Sequence, residues 1–167
     1  MIRHRYGLIG FFIKLLPLLV GIIVAGTFSV ATADQGYPYD GMVSIKVEKT
    51  YKDLTVDLKD AIKQNKMGLV TRASASGGAA GQGITIPGNM VVGVYRNDFA
   101  RRMLAASIPA GIEAPIRFYL TENNDGTASL TYRKPSAVFA PYNSADLDVM
   151  AKELDVIFEA IAKGAAK

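Results

Sequence analysis

Between Ile116 and Arg133 the chain alternates apolar and polar residues on both sides of a short turn. Ile116, Phe118 and Leu120 alternate with Arg117, Tyr119 and Thr121, the period of two that sends successive side chains to opposite faces of a strand. Asn124-Asp125-Gly126 follows, and then Ala128, Leu130 and Tyr132 alternate with Ser129, Thr131 and Arg133. An Asp-Gly step between two alternating runs is a hairpin signal. The spacing therefore predicts an antiparallel β-hairpin over 116–133 with one apolar and one polar face. An isolated hairpin is only marginally stable in water, so the apolar face demands a cover and the rest of the chain must supply it.

Helical periodicity supplies that cover in three places. Thr50-Tyr51-Lys52-Asp53 has the form of a capping box, and Leu54, Leu58, Ala61 and Ile62 then recur at helical spacing, predicting a helix over 51–65. Asn97 or Asp98 is placed to cap a second helix carrying Phe99, Met103 and Leu104, which Pro109 closes. Asn143 or Ser144 caps a third, with Asp146 and Asp148 near its positive end and Leu147, Met150, Leu154, Ile157, Phe158 and Ile161 on one face. Strands are expected at Met42–Val47, Leu69–Ala73 and Met90–Tyr95. The expected fold is α+β, a four- or five-stranded sheet containing the C-terminal hairpin and packed with about three helices. At 167 residues that is one domain.

The N-terminal segment bears on location. Arg3, Arg5 and Lys14 precede an uncharged run from Leu15 to Ala33 that ends in Ala31-Thr32-Ala33, the pattern of an export signal with a small-x-small cleavage site. Residues 1–33 are read as a signal peptide, with an uncleaved anchor over 15–33 as the alternative, since its length approaches the roughly 20 residues of a membrane span. Residues 34–42 then form a linker, 43–163 the domain and 164–167 a tail. The expected location is periplasmic or secreted, membrane-anchored only if the leader stays.

Cleavage also changes the charge argument. Loss of the three leader cations takes the formal net charge from +4 to +1, which removes the bulk-charge case for nucleic acid. The only His, His4, lies in the leader and the chain has no Cys. The mature chain thus lacks the imidazole and thiol needed for His-dependent triads, thiol chemistry and zinc or copper sites. No metal site and no cofactor is expected.

The order of short motifs along the chain resembles the domain of unknown function 302 family over roughly residues 43–163. The resemblance rests on a first helix ending near Gly68, the Ala/Gly-rich segment entering Ile86-Pro87-Gly88-Asn89, and the strand ending in Tyr95-Arg96-Asn97. It continues through Met103-Leu104, Ile108-Pro109 and Ala114-Pro115-Ile116-Arg117-Phe118 to the hairpin from Asp125-Gly126 through Tyr132 and Pro135. Asn97-Asp98 stands where the family often has Asn-Pro, and Ala114-Pro115 where it has leucine-proline. The resemblance implies a compact α/β fold and self-association, and brings no established reaction with it.

Several groups invite chemical readings. Gly77, Gly78, Gly81 and Gly83 suit a backbone anion cradle, but the Lys-Ser/Thr ending of a phosphate loop is missing and a short Ala-rich helical turn accounts for them. Arg96, Arg101, Arg102, Arg117 and Arg133 form a potential anion patch, against which stands ordinary pairing of Arg117 and Arg133 with Glu113 or Glu122. Glu113 and Glu122 also offer a carboxylate pair for hydrolysis, which needs a fixed separation. The resulting expectation is a binding or interaction domain for a small anionic ligand, with Glu113, Arg117, Tyr119 and Arg133 as the ligand-binding residues. The alternatives are a small hydrolase or isomerase-like enzyme using Glu113 and Arg117, and a structural envelope dimer.

Overall fold

A computed structural model describes residues 38–167, and the leader, its cleavage site and the first residues of the linker lie outside the described residues. The strands are β1 (Met42–Val47), β2 (Gly68–Ala73), β3 (Asn89–Tyr95), β4 (Ile116–Glu122) and β5 (Ala128–Arg133), forming one antiparallel sheet in the order β1-β5-β4-β3-β2. The hairpin is β4–β5, with Asn123 to Gly126 at its turn. First and last strands pair along six positions, from Met42 opposite Arg133 to Val47 opposite Ala128.

Three longer helices are present as the periodicity requires: α1 (Tyr51–Gln64), α3 (Asn97–Ala106) and α5 (Ala145–Ala166). Two short ones join them, α2 (Ala75–Ala80) and α4 (Pro135–Phe139), with 3₁₀ turns at Ile108–Glu113 and Ala140–Tyr142. Leu54, Leu58 and Ile62 of α1 and Leu147, Leu154, Phe158 and Ile161 of α5 share one buried cluster with Val92, Phe118, Leu120 and Leu130 of the sheet. Phe118 stacks on Phe158 with ring centroids 4.9 Å apart, and Tyr132 tilts against both rings. Packing of this density, not disulfides, holds the Cys-free domain together.

The caps differ in detail from expectation. Thr50 accepts from the Asp53 amide as a capping box does, and Ser144 accepts from the Leu147 amide. Asn143 instead takes a left-handed conformation, φ 50°. Arg96 occupies the cap position of α3 without a side-chain hydrogen bond, so neither Asn97 nor Asp98 plays that part. Residues 164–166, expected as tail, continue α5, where Ala165 is fully buried. Among the described residues no helix is long and apolar enough to cross a membrane.

The helices cover one face of the sheet. Val92, Val94, Ile116, Phe118, Leu120, Leu130 and Tyr132 point into them and are buried. The other face carries Ser44, Lys46, Arg117 and Tyr119, all exposed, with Thr131 buried among them.

Candidate functional site

The register of the sheet arranges the open face in rows. One row runs Met42 of β1, Arg133 of β5, Arg117 of β4, Gly93 of β3 and Thr71 of β2. Met42 pairs with Arg133, and Gly93 with both Arg117 and Thr71. The β4–β5 pairing of Phe118 with Tyr132, carried one residue further, sets Arg117 opposite Arg133. The next row holds Ser44, Thr131, Tyr119, Val91 and Ala73. The two arginines thus occupy facing cross-strand positions, where like charges oppose each other unless an anion answers them.

Over these rows lies a concavity of about 520 Å³. Glu113, Arg117, Tyr119 and Arg133 all line it, together with Tyr39, Met42, Val91, Ile116, Thr131, Tyr132 and Val138. Its wall comes from the crossover after α3. Pro115 lies over Gly93, where even one extra carbon, a Cβ, would stand 2.6 Å from the proline Cγ and would also strike Thr71 Oγ1. A residue without a side chain is what lets the crossover descend onto the sheet. The 3₁₀ turn then carries Glu113 to the edge of the concavity.

Glu113 is half-buried and held by one hydrogen bond: Tyr142 Oη donates to its Oε1 at 2.9 Å. That bond, followed by burial and the charge of the carboxylate, raises the Tyr142 hydroxyl above its ordinary pKa, so it stays protonated and donating. Arg133 Nε donates to the carbonyl of Asp40 at 3.1 Å, and its guanidinium lies 5.3 Å from the Tyr39 ring centre, a cation–π contact. Gly41, at φ +75°, permits this approach: its carbonyl accepts from the Lys134 amide, and a side chain there would collide with Ala137. At the centre of the face, Thr131 Oγ1 and Ser44 Oγ share a 2.9 Å hydrogen bond.

Neither Arg117 nor Arg133 forms an ion pair among the described residues. The expected pairing with Glu113 or Glu122 is therefore absent. Glu113 is taken by Tyr142, while Glu122 accepts from the Gly88 amide at 2.6 Å and its own amide donates back to the Gly88 carbonyl. The remaining arginines stand elsewhere. Arg96 pairs with Asp98, and Arg102 makes two 2.7 Å bonds to Glu153; both guanidinium groups also lie over Phe99. The patch of five arginines is thus two that face each other on the sheet and others tied up or apart on α3.

Two further sequence readings are resolved by geometry. Glu113 precedes β4 and Glu122 ends it, so the length of a strand rising about 3.3 Å per residue separates them, well beyond the roughly 5–9.5 Å of a glycosidase pair. The Gly-rich segment is the short helix α2. Its first amides are already occupied, Ala75 and Ser76 by Asn89 Oδ1 and Gly77 by Ser74 Oγ, and so do not cradle an anion. Among the described residues no group of three or more acidic, His or Cys side chains is placed to hold a metal.

Sequence reasoning did not find Val91, Thr131, Val138 or Tyr142 as part of the site. Their roles depend on cross-strand register and on the fold-back of the short α4 segment, neither of which leaves a local pattern.

The family described as Domain of unknown function DUF302 matches residues 43–163. The crystal structure of an uncharacterized conserved protein DUF302 from Bacillus stearothermophilus is similar to this chain, with a TM-score of 0.68 and 17% sequence identity over 77% of this chain and 99% of that one. No curated protein matches the sequence.

Proposed function

The chain belongs to the DUF302 family, and since membership supplies a fold without a reaction, we propose from the site itself that this is an exported domain that binds a small organic anion on the open face of its sheet. The observation that carries the reading is the facing pair Arg117 and Arg133, neither of them in an ion pair among the described residues, inside a concavity of about 520 Å³. Two forked guanidinium groups converge naturally on one carboxylate or phosphate. Tyr119 supplies an aromatic wall one row away, and Glu113, with one oxygen taken by Tyr142, offers its other oxygen to a hydroxyl or ammonium on the same ligand.

Native mass spectrometry of the protein purified gently from its producing host tests this. A stoichiometric added mass that disappears in Arg117→Gln and Arg133→Gln is the expected result, and a ligand retained by both variants overturns the assignment. The enzyme alternative requires turnover that Glu113→Gln abolishes; among the described residues Glu113 is the one acidic residue lining the concavity, which gives it no carboxylate partner there among them.

A second reading, self-association, is favoured by β2. All six of its residues are exposed, Leu69 and Val70 included, and it forms an edge of the sheet. Edge strands with apolar side chains and free backbone groups invite pairing. The same mass spectrum reads subunit number, and a dimer that Val70→Lys converts to monomer is the result this reading expects.

A further inference from the structure

We infer that the ligand is an amphiphilic organic acid, an oxyanion head on an apolar body, and not an inorganic anion or a small polar acid; this rests on the anion-binding reading above. The cationic row adjoins apolar groups. Met42 stands beside Arg133 in the same row, while Val91 and the ring of Tyr119 form the next. Val138, buried, lines the concavity as well. Bare phosphate, a few times the roughly 30 Å³ of a water molecule, leaves most of about 520 Å³ unfilled. Ligand sites of this size combine apolar lining with a few placed polar groups that fix orientation, and here the charged groups are two arginines and Glu113, beside the hydroxyls of Thr131 and three tyrosines.

The chemistry of the floor sets the orientation. An oxyanion between Arg117 and Arg133 is met by forked N–H donors, and the chain behind it lies over Val91 and Tyr119, where each buried methylene adds hydrophobic stabilisation. A head group without a body gains the first contribution only. A body without a charge gains the second and leaves the facing guanidinium pair uncompensated.

The test is calorimetric titration of the full protein with four probes: octanoate below its micelle-forming concentration, acetate, inorganic phosphate and 1-octanol. Octanoate is expected to bind at least about tenfold more tightly than acetate or phosphate, with 1-octanol weaker than octanoate. Arg117→Gln should abolish octanoate binding. Val91→Thr, which keeps a β-branched side chain suited to the strand, should weaken octanoate severalfold and leave acetate unchanged. Acetate or phosphate binding as tightly as octanoate, with loss in Arg117→Gln, overturns this inference and leaves the anion reading standing. No binding by any of the charged probes overturns both. Octanoate binding that survives Arg117→Gln, or 1-octanol binding equally well, shows simple apolar adsorption and overturns the inference too.

Discussion

On the covered face of the sheet Phe118, Leu120 and Leu130 have no exposed surface at all, whereas on the open face of the same strands Arg117 is exposed and Tyr119 retains 38% of its accessible surface. The residues alternate one by one along β4, so backbone, temperature and neighbours are shared and only the environment differs. Covered positions answer to packing, in which shape and volume decide. Open positions are relieved of that demand, and two of them hold arginines at facing cross-strand positions, where like charges oppose each other. The difference separates what the fold requires from what the fold is carrying.

The largest effect should come from the covered side. Phe118→Ala removes the ring that stacks on Phe158 and touches Tyr132 and should cost about 3–5 kcal/mol in chemical denaturation. A loss below about 1 kcal/mol would break the comparison, since it would mean the covered face is not densely packed. Next is Gly93→Ala, where the crossover touches the open face. The new methyl meets the Pro115 ring, and overpacking of this kind costs about 1–3 kcal/mol. Because Pro115 leads directly to Glu113, the substitution should also shift the Glu113 and Tyr142 resonances in an NMR spectrum; an unchanged spectrum there would separate the wall of the concavity from the sheet beneath it.

Arg117→Gln belongs to the open side and should run the other way. Removing one of two facing like charges should leave stability unchanged or raise it by about 0.2–1 kcal/mol, while the proposed anion binding should be lost. Destabilisation comparable to Gly93→Ala would show that Arg117 is a structural residue and dissolve the distinction between the faces.

The two faces were also unequally legible in the sequence. Alternation at Ile116–Leu120 and Ala128–Tyr132 discloses which side chains share a face, because period two is a local property, and the longer helices disclose themselves through Leu54, Leu58 and Ile62 or Leu154, Phe158 and Ile161. The pairing of β1 with β5 has no such signature: it joins positions about 90 residues apart, such as Met42 and Arg133, and nothing in either segment names the other. Helix α4, five residues from Pro135 to Phe139, is too short for a period to register. The sequence singled out Glu113, Arg117, Tyr119 and Arg133 as polar residues flanking and lining one hairpin, and they share one concavity. Val91 escaped notice because a valine in a Val-rich strand reads as core, and only the register with Tyr119 turns it toward the open face.

The smallest expected effect contrasts the two ends of that open face. Lys46, on β1, bonds to Asp125 in the hairpin turn at 2.7 Å, so the cation at this end has a carboxylate partner, whereas Arg117 and Arg133 form no ion pair among the described residues. The bond to Lys46 foremost, then those from the Thr127 side chain and amide, hold the Asp125 carboxyl well below the usual carboxylate range. A carboxyl whose pKa is lower folded than unfolded contributes stability above its unfolded pKa, near 3.9, and that contribution fades as the pH falls below about 4 toward the folded value. Both partners are exposed, so the effect on stability is slight and salt-screened, and the better readout is the carboxyl itself. In an NMR titration Lys46→Met should move the Asp125 midpoint upward, part of the way to 3.9 because the Thr127 bonds remain. An unmoved midpoint would mean that the Asp125 carboxylate does not answer Lys46 in solution, and an internal ion pair would then no longer distinguish Lys46 from the two cations that line the concavity.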